Sequence, residues 1–266
     1  MGDYELFKKQ VFGLTQIDLS CYKERQMKRR IDALITKCKI TSYEEYIRLL
    51  KTDKVRLDEF VAYLTINVSE FYRNPEQWKL LEDEMLPYLF ERFGNDLHIW
   101  SAACSTGDEP YTLVMLLAKF IPLDKIHVYA TDIDRQVLEK AQIGIYDEKS
   151  LKGLPKEFVS KYFTQVSDRS YQISDQIKRC VKFCQHNLLK DRYPKECDMI
   201  VCRNVMIYFT EEAKKEIYQK FNASLKKDGL LFVGSTEQIM NYRELGFDRH
   251  KYRTDHIARQ YRICKF

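Results

Sequence analysis

The chain has 266 residues, 45% of them hydrophobic, and its 44 basic and 39 acidic side chains leave a net charge of +5. That length suits one large domain, or a main domain with a smaller one attached, with ample apolar content for a core. No apolar run approaches the roughly 20 residues that span a bilayer, the N-terminus lacks a signal-peptide core, and the eight cysteines are scattered, so the composition speaks against a membrane-spanning or disulfide-stapled protein and for a cytoplasmic one with reduced thiols.

Residues 1 to about 75 read as helices with no convincing strand. Tyr4 to Gly13 is one. Leu19 to Cys38 is the clearest, with Met27, Ile31, Leu34, Ile35 and Cys38 recurring at helical spacing as one apolar stripe. Arg25, Lys28 and Arg29 fall on the opposite face. Residues 21 to 40 hold seven basic and two acidic side chains, so this window alone carries +5. Ser42 is placed to cap a helix from Tyr43 to Leu50, and Lys54 to Leu64 reads as another. The polar stretch from Asn67 to Pro75 interrupts the pattern. The expected division falls just after it, with a helical domain at 1–75 and a larger domain at 76–266.

Trp78 to Phe93 is again helical and leads into Leu97-His-Ile-Trp-Ser-Ala-Ala, apolar and small enough for a buried parallel strand. A tight loop around Gly107 follows, then a helical run from Tyr111 to Phe120. Strand, small-residue loop and helix make the nucleotide-binding corner of a doubly wound sheet. A second strand, Lys125 to Ala130, ends in Thr131-Asp132-Ile-Asp134. Asp132 lies 25 residues after Gly107, close to where such folds place the carboxylate that holds ribose hydroxyls. Dinucleotide loops need several glycines, whereas this one has a single glycine and carries Asp108 and Glu109, which repel a doubly charged phosphate. A ligand with ribose, adenine and a positive end suits it better, and S-adenosylmethionine is such a ligand. The same two acids would also complement the helix dipole with no ligand at all.

A helix is expected from Asp134 to about Ile143. The region 145–186 then breaks the alternation. A helix from Lys156 to Phe163 and two period-2 runs, Ser170 to Ser174 and Ile177 to His186, read as a small antiparallel insertion at about 150–186. The strand Cys197 to Cys202, the helix Glu211 to Leu225 and the strand Gly229 to Gly234 resume the α/β pattern. The tail, His250 to Tyr252 and Arg259 to Cys264, reads as an antiparallel edge pair. The expected fold is therefore α/β, a doubly wound, mostly parallel Rossmann-like sheet with a small antiparallel β insertion, preceded by an all-α N-terminal domain. Cys180, Cys184 and His186 alternate onto one strand face, but structural zinc needs four ligands with paired spacing, so no metal is expected.

Four motifs occur in order: Asn67-Val-Ser-Glu-Phe-Tyr-Arg73, Trp100-Ser-Ala-Ala-Cys-Ser-Thr-Gly-Asp-Glu-Pro-Tyr111, Ala130-Thr-Asp-Ile-Asp134 and Cys202-Arg-Asn-Val-Met-Ile-Tyr-Phe209. The set resembles the chemotaxis receptor methyltransferases, the CheR family of bacteria, across nearly the whole chain. The resemblance implies transfer of a methyl group from S-adenosylmethionine to glutamate side chains of membrane chemoreceptors, with S-adenosylhomocysteine as the product. It places Asn67, Ser69 and Arg73 against the cofactor, with Arg73 near the methionine carboxylate. It gives Glu109 the ammonium, Asp132 the ribose, and Asn187 and Leu188 the adenine. Arg203 and Asn204 would line the cleft, Tyr208 would face the reacting methyl, and Arg73 and Tyr208 would form the catalytic pair. The family usually has Thr where Ser69 stands and often Glu where Asp108 stands; the hydroxyl and the charge are kept.

Arg25, Lys28 and Arg29 would dock the acidic methylation region of a receptor, with recruitment to receptor clusters at the inner face of the membrane. No nucleic acid, no membrane insertion and a monomer are expected. Two other classes stay open on the residues alone. One is a methyltransferase acting on nucleic acid or a small molecule, although the Asn-Pro-Pro-Tyr of amide and base methylation is absent at Cys202-Arg-Asn-Val. The other is a cofactor-sensing scaffold that does no chemistry. Arg73, Asn67 and Tyr208 have plain readings too, as a turn end, a turn former and a core aromatic.

Overall fold

Capping side chains set most helix starts in the first part of the chain, as seen in the computed structural model, which describes residues 2–67, 69–249 and 262–265. Asp3 accepts from the Glu5 and Leu6 N–H groups at 2.8 and 3.2 Å and opens α1 (Tyr4–Thr15). Next comes α2 (Glu24–Lys37). Ser42 Oγ accepts from Glu45 N–H at 3.1 Å and opens α3 (Tyr43–Thr52), and Asp53 does the same for α4 (Lys54–Thr65) through Arg56 N–H. The buried rings Phe7, Tyr43, Tyr46 and Phe60 hold these helices together, with Phe7 and Tyr43 centred 4.7 Å apart. Each such ring removed from water contributes about 1.5–3 kcal/mol.

The expected single helix from Leu19 to Cys38 is two elements. Asp18 caps a short 3-10 turn at Leu19–Cys21, Tyr22 is extended, and α2 begins only at Glu24. A remote partner makes the break. Tyr22 bridges to Phe209, Lys23 N–H donates to Tyr208 C=O at 2.9 Å, and Thr210 N–H donates to Cys21 C=O at 2.9 Å. Residues 208–215 accordingly group with residues 1–67 in one unit, and 68–207 with 216–266 form the other. The units part at Asn67, where the sequence suggested about residue 75.

In the second unit a helical stretch runs through α5 (Pro75–Leu80), a π turn (Leu81–Met85) and α6 (Leu86–Phe93). The strands are β1 (Ile99–Ala102), β2 (Val128–Asp132), β3 (Ile145–Asp147), β4 (Phe163–Ser167), β5 (Ser170–Ile173), β6 (Val181–Gln185), β7 (Cys197–Cys202), β8 (Leu225–Val233), β9 (Phe247–Arg249) and β10 (Arg262–Lys265). Seven of them form one sheet in the order β6-β2-β1-β7-β8-β10-β9. The first five are parallel and doubly wound, and β10 and β9 close the edge antiparallel. The helices are α7 (Asp108–Leu117), α8 (Arg135–Ile143), α9 (Lys156–Tyr162), α10 (Asp175–Arg179) and α11 (Glu211–Ser224), the last crossing from one unit into the other. β1 and β7 are buried along their whole length, as strands covered on both faces must be. Among the described residues no helix is long and apolar enough to cross a membrane.

The antiparallel insertion is present but smaller and earlier than expected. Its sheet, β3-β5-β4, spans residues 145–173. The period-2 run from Ile177 to His186 is instead α10 followed by β6, a parallel edge strand paired with β2 from Val128↔Val181 to Asp132↔Gln185. An edge strand exposes part of its surface, so its pattern alternates much as an antiparallel strand's does. The expected tail strand at 250–252 lies outside the described residues. β10 takes up only the later part of the other expected run.

Candidate active site

The carboxyl ends of β6, β2, β1, β7 and β8 gather most of the candidate residues. After β1, Ala103 and Ser105 adopt positive φ (62° and 49°), and Gly107 at φ 87° starts α7. A Cβ on Gly107 would stand 2.9 Å from the Ala141 Cβ, so only glycine lets this loop lie against α8. α7 thus begins at Asp108, three residues before the helical run seen in sequence, and presents both acids in its first turn.

Glu109 is held from two sides. Ser101 Oγ donates to its Oε1 at 2.9 Å, and Arg203 Nη1 lies 3.8 Å from Oε2. Burial nevertheless pushes its pKa up to about 7, against the lowering effect of Arg203, Ser101 and Arg73. Asp132 ends β2 almost fully buried. Its Oδ2 accepts from Ser105 N–H at 2.8 Å and its Oδ1 from Asp134 N–H at 3.0 Å. Burial raises it to about 6, outweighing those N–H groups. Asp132 therefore anchors the loop after β1 as well as facing the site. Asp108, also buried and raised, accepts from Thr106 Oγ1 at 2.5 Å and from Ser69.

Arg203 follows β7 and is buried to 6% exposure. Its Nε and Nη2 donate to Gln77 Oε1 at 3.2 and 2.7 Å, and Nη2 donates to the Arg73 C=O at 2.6 Å. Its guanidinium stacks over Trp78 (4.7 Å) and Phe232 (5.5 Å). A buried guanidinium so fully engaged fixes the chain at Arg73 to β7 and to the first turn of α7. Beyond β6, His186 N–H donates to the Asp132 C=O at 2.9 Å, which sets Asn187 and Leu188 beside the end of β2. Leu188 is buried, and Asn187 closes a turn by accepting from Leu189 N–H at 2.9 Å.

The structure thus gathers Ser69, Arg73, Glu109, Asp132, Asn187, Leu188, Arg203 and Asn204 at one end of one sheet. Asn67 and Tyr208 belong to the first unit, together with Arg25, Lys28 and Arg29. Asn67 Nδ2 donates to Thr65 Oγ1 at 2.9 Å. Tyr208 and Arg29 line a cavity of about 230 Å³ with Lys23, Gln26 and Arg30. On α2, Met27, Ile31 and Ile35 are buried while Leu34 and Cys38 are only half-buried. Arg25 and Arg29 are exposed, but Lys28 pairs with Asp32 at 3.6 Å and sits over the Tyr4 ring.

Sequence reasoning missed Gln77 and Glu237. The available signal was position: Gly234-Ser-Thr-Glu237 follows the fifth parallel strand, where ligand-facing loops begin. With Glu237 the site holds four carboxylates (Asp108, Glu109, Asp132, Glu237) and two guanidiniums (Arg73, Arg203). Burial raises the pKa of three of those carboxylates, Asp108, Glu109 and Asp132, and a positive ligand end would favour their ionised forms. That fits an S-adenosylmethionine ammonium and sulfonium far better than a pyrophosphate.

Such a sheet and such a cluster suit an S-adenosylmethionine-binding methyltransferase domain, and the family match bears out that class. The family model described as "CheR methyltransferase, SAM binding domain" matches residues 67–253, and "CheR methyltransferase, all-alpha domain" matches residues 2–65. The chain belongs to the CheR methyltransferase family. It is 43% identical to the chemotaxis protein methyltransferase of Listeria monocytogenes over 244 residues, 92% of this chain and 93% of that one. Identity to the protein of that name from Borreliella burgdorferi is 35%, covering 90% and 89% of the two chains. With the Escherichia coli protein it is 34%, covering 86% and 82%.

Proposed function

We propose that the chain transfers the methyl group of S-adenosylmethionine to glutamate carboxylates of bacterial chemoreceptors, forming methyl esters and leaving S-adenosylhomocysteine. The observation that carries this reading is the pair of carboxylates whose pKa is raised by burial, Glu109 in the first turn of α7 and Asp132 at the end of β2, with Arg203 beside the first. In the proposed roles Glu109 holds the ammonium, Asp132 the ribose hydroxyls and Arg73 the methionine carboxylate. Ser69, Asn187, Leu188, Arg203 and Asn204 complete the cofactor contacts. Asn67 and Tyr208 are assigned on the family resemblance, Tyr208 to the reacting methyl. Arg25, Lys28 and Arg29 are proposed to dock the receptor, and recruitment to receptor clusters follows from that docking.

The bound sulfonium supplies an activated methyl group. A substrate glutamate titrates near pH 4.3 and is already a nucleophile at neutral pH, so the protein needs to orient it rather than deprotonate it. Orientation of this kind supplies roughly 7–11 kcal/mol of the barrier. No histidine is needed as a base. The buried His186 is held below its ordinary pKa by burial and packs on Trp100 and Tyr193 as a neutral core ring. The test uses methyl-labelled S-adenosylmethionine with receptor-containing membranes. Base-labile label released as methanol is the expected product; base-stable label, or label in nucleic acid, would overturn the glutamate assignment.

A further inference from the structure

The carboxyl ends of β7 and β8 are fastened by one side chain, Glu237, which is only 4% exposed. Its Oε2 accepts from Gly234 N–H at 2.9 Å and from Asn204 N–H at 2.7 Å, and its Oε1 accepts from Met206 N–H at 2.7 Å. A single carboxylate thus takes three backbone donors from the loops that leave two neighbouring strands. Charge-assisted bonds of this kind are about twice as strong as neutral ones. The clasp has a matching glycine. A Cβ on Gly234 would come within 2.6 Å of Glu237 Oε2 and 3.0 Å of Asn204 N.

What the clasp holds is the segment from Arg203 to Met206. Asn204 is in the left-handed region at φ 60°, a backbone state that persists in a non-glycine residue when its surroundings enforce it. One residue before it, Arg203 reaches Gln77, the Arg73 carbonyl and Glu109. A change in the path of residues 204–206 is therefore passed through Arg203 to the first turn of α7. Among the described residues the Glu237 carboxylate accepts hydrogen bonds from backbone N–H groups, which set the path of this loop, and its charge also reaches Glu109 and Arg203 through space.

We infer that Glu237 is a positioning residue for methyl transfer: it sets the loop after β7 so that Arg203 braces Glu109 and Asn204 is presented to the cofactor. The inference rests on the methyltransferase reading of this site. Replacing Glu237 by glutamine keeps the size but puts an amide NH2 against a backbone N–H, so one of the three bonds becomes a donor facing a donor. The loop must turn to relieve it.

The experiment compares wild type, Glu237→Gln and a stability control, Ile217→Val, a buried α11 position remote in role from the site. Melting temperature, S-adenosylhomocysteine affinity by calorimetry and methyl transfer at saturating cofactor are measured well below the melting transitions. Glu237→Gln should bind S-adenosylhomocysteine about tenfold more weakly, and its turnover should fall by up to about 100-fold, as small misplacements at a reacting centre do. Ile217→Val should keep both values despite a lower melting temperature. Wild-type affinity and turnover in a folded Glu237→Gln would overturn the inference and leave Glu237 a purely structural clasp. Should the glutamine variant not fold, Glu237→Asp keeps the charge and shortens the reach; unchanged affinity there would overturn it equally. If the wild type labels no receptor membranes, the substrate reading fails, and the affinity comparison still decides the role of Glu237.

Discussion

Cofactor affinity should depend on pH through Glu109. In the ligand-free protein its carboxyl titrates at about 7, raised by burial. A ligand ammonium favours the ionised form, so binding draws the pKa down and releases a proton. The ionised fraction is about 9% at pH 6 and about 91% at pH 8, so this requirement alone weakens binding about tenfold at the lower pH. Asp132, at about 6 and facing hydroxyl donors, adds about a factor of two over the same range. The combined change is about 20-fold, or about 1.8 kcal/mol. Titration calorimetry with S-adenosylhomocysteine, in buffers of different ionisation enthalpy, reads affinity and proton release together. Glu109 should account for about 0.9 proton per ligand at pH 6 and about 0.1 at pH 8. Glu109→Gln should bind weakly at both pH values, with only the Asp132 dependence left. Equal wild-type affinity at pH 6 and 8, with no proton release, would show that Glu109 does not meet the ammonium. The sign reverses for the stability of the ligand-free protein. These two groups ionise near pH 4 when unfolded and near 6 and 7 when folded, so their contribution is full below about pH 4 and is lost as pH rises through 6 and 7.

Three further outcomes are expected. Asp132→Ala should lose both ribose binding and the anchor for Ser105 N–H; a loss of about 1.5–3 kcal/mol in S-adenosylhomocysteine binding is expected, with a lower melting temperature, and unchanged affinity would refute the ribose assignment. Gly107→Ala must place a Cβ 2.9 Å from Ala141 at φ 87°, so it should destabilise the fold and abolish cofactor binding; a variant of wild-type melting temperature and affinity would contradict the loop geometry. Reversal of the exposed pair, Arg25→Glu with Arg29→Glu, should leave melting and cofactor affinity unchanged while receptor methylation falls steeply. The wild-type rate should decline with salt, which screens such fields within about 8 Å at physiological strength. Lys28 is left alone because its partner Asp32 would then face a like charge.

Legibility followed how local each cause was. Gly107 and the small residues before it announce their turn because the backbone there requires it. Asp132 stands at a distance from that turn that the fold repeats. The fully buried β1 shows as an unbroken apolar and small run. β6 was misplaced because an edge strand partly open to solvent alternates like a strand of the insertion, and α10 hid in the same run. The break before α2 could not be seen locally, since its cause is Phe209, far along the chain. For Glu237 only its place after the fifth parallel strand is legible; its bonds are not, since two of its N–H partners lie 33 and 31 residues upstream and a lone glutamate carries no pattern.

The membership of residues 208–215 in the first unit has a consequence for biosynthesis. Roughly 140 residues separate Asn67 from that segment, so at about 5–20 residues per second the ribosome takes about 7–28 seconds to supply it. Throughout that interval the nascent helical unit lacks the Tyr208 carbonyl that Lys23 N–H meets, the Thr210 N–H that Cys21 C=O meets and the Phe209 ring that packs on Tyr22, so it cannot finish folding first simply because it is made first. The same interleaving limits how the gene can be cut. A fragment ending at Asn67 omits the segment that carries Phe209, and no single breakpoint separates the helical unit from the unit that carries the acids.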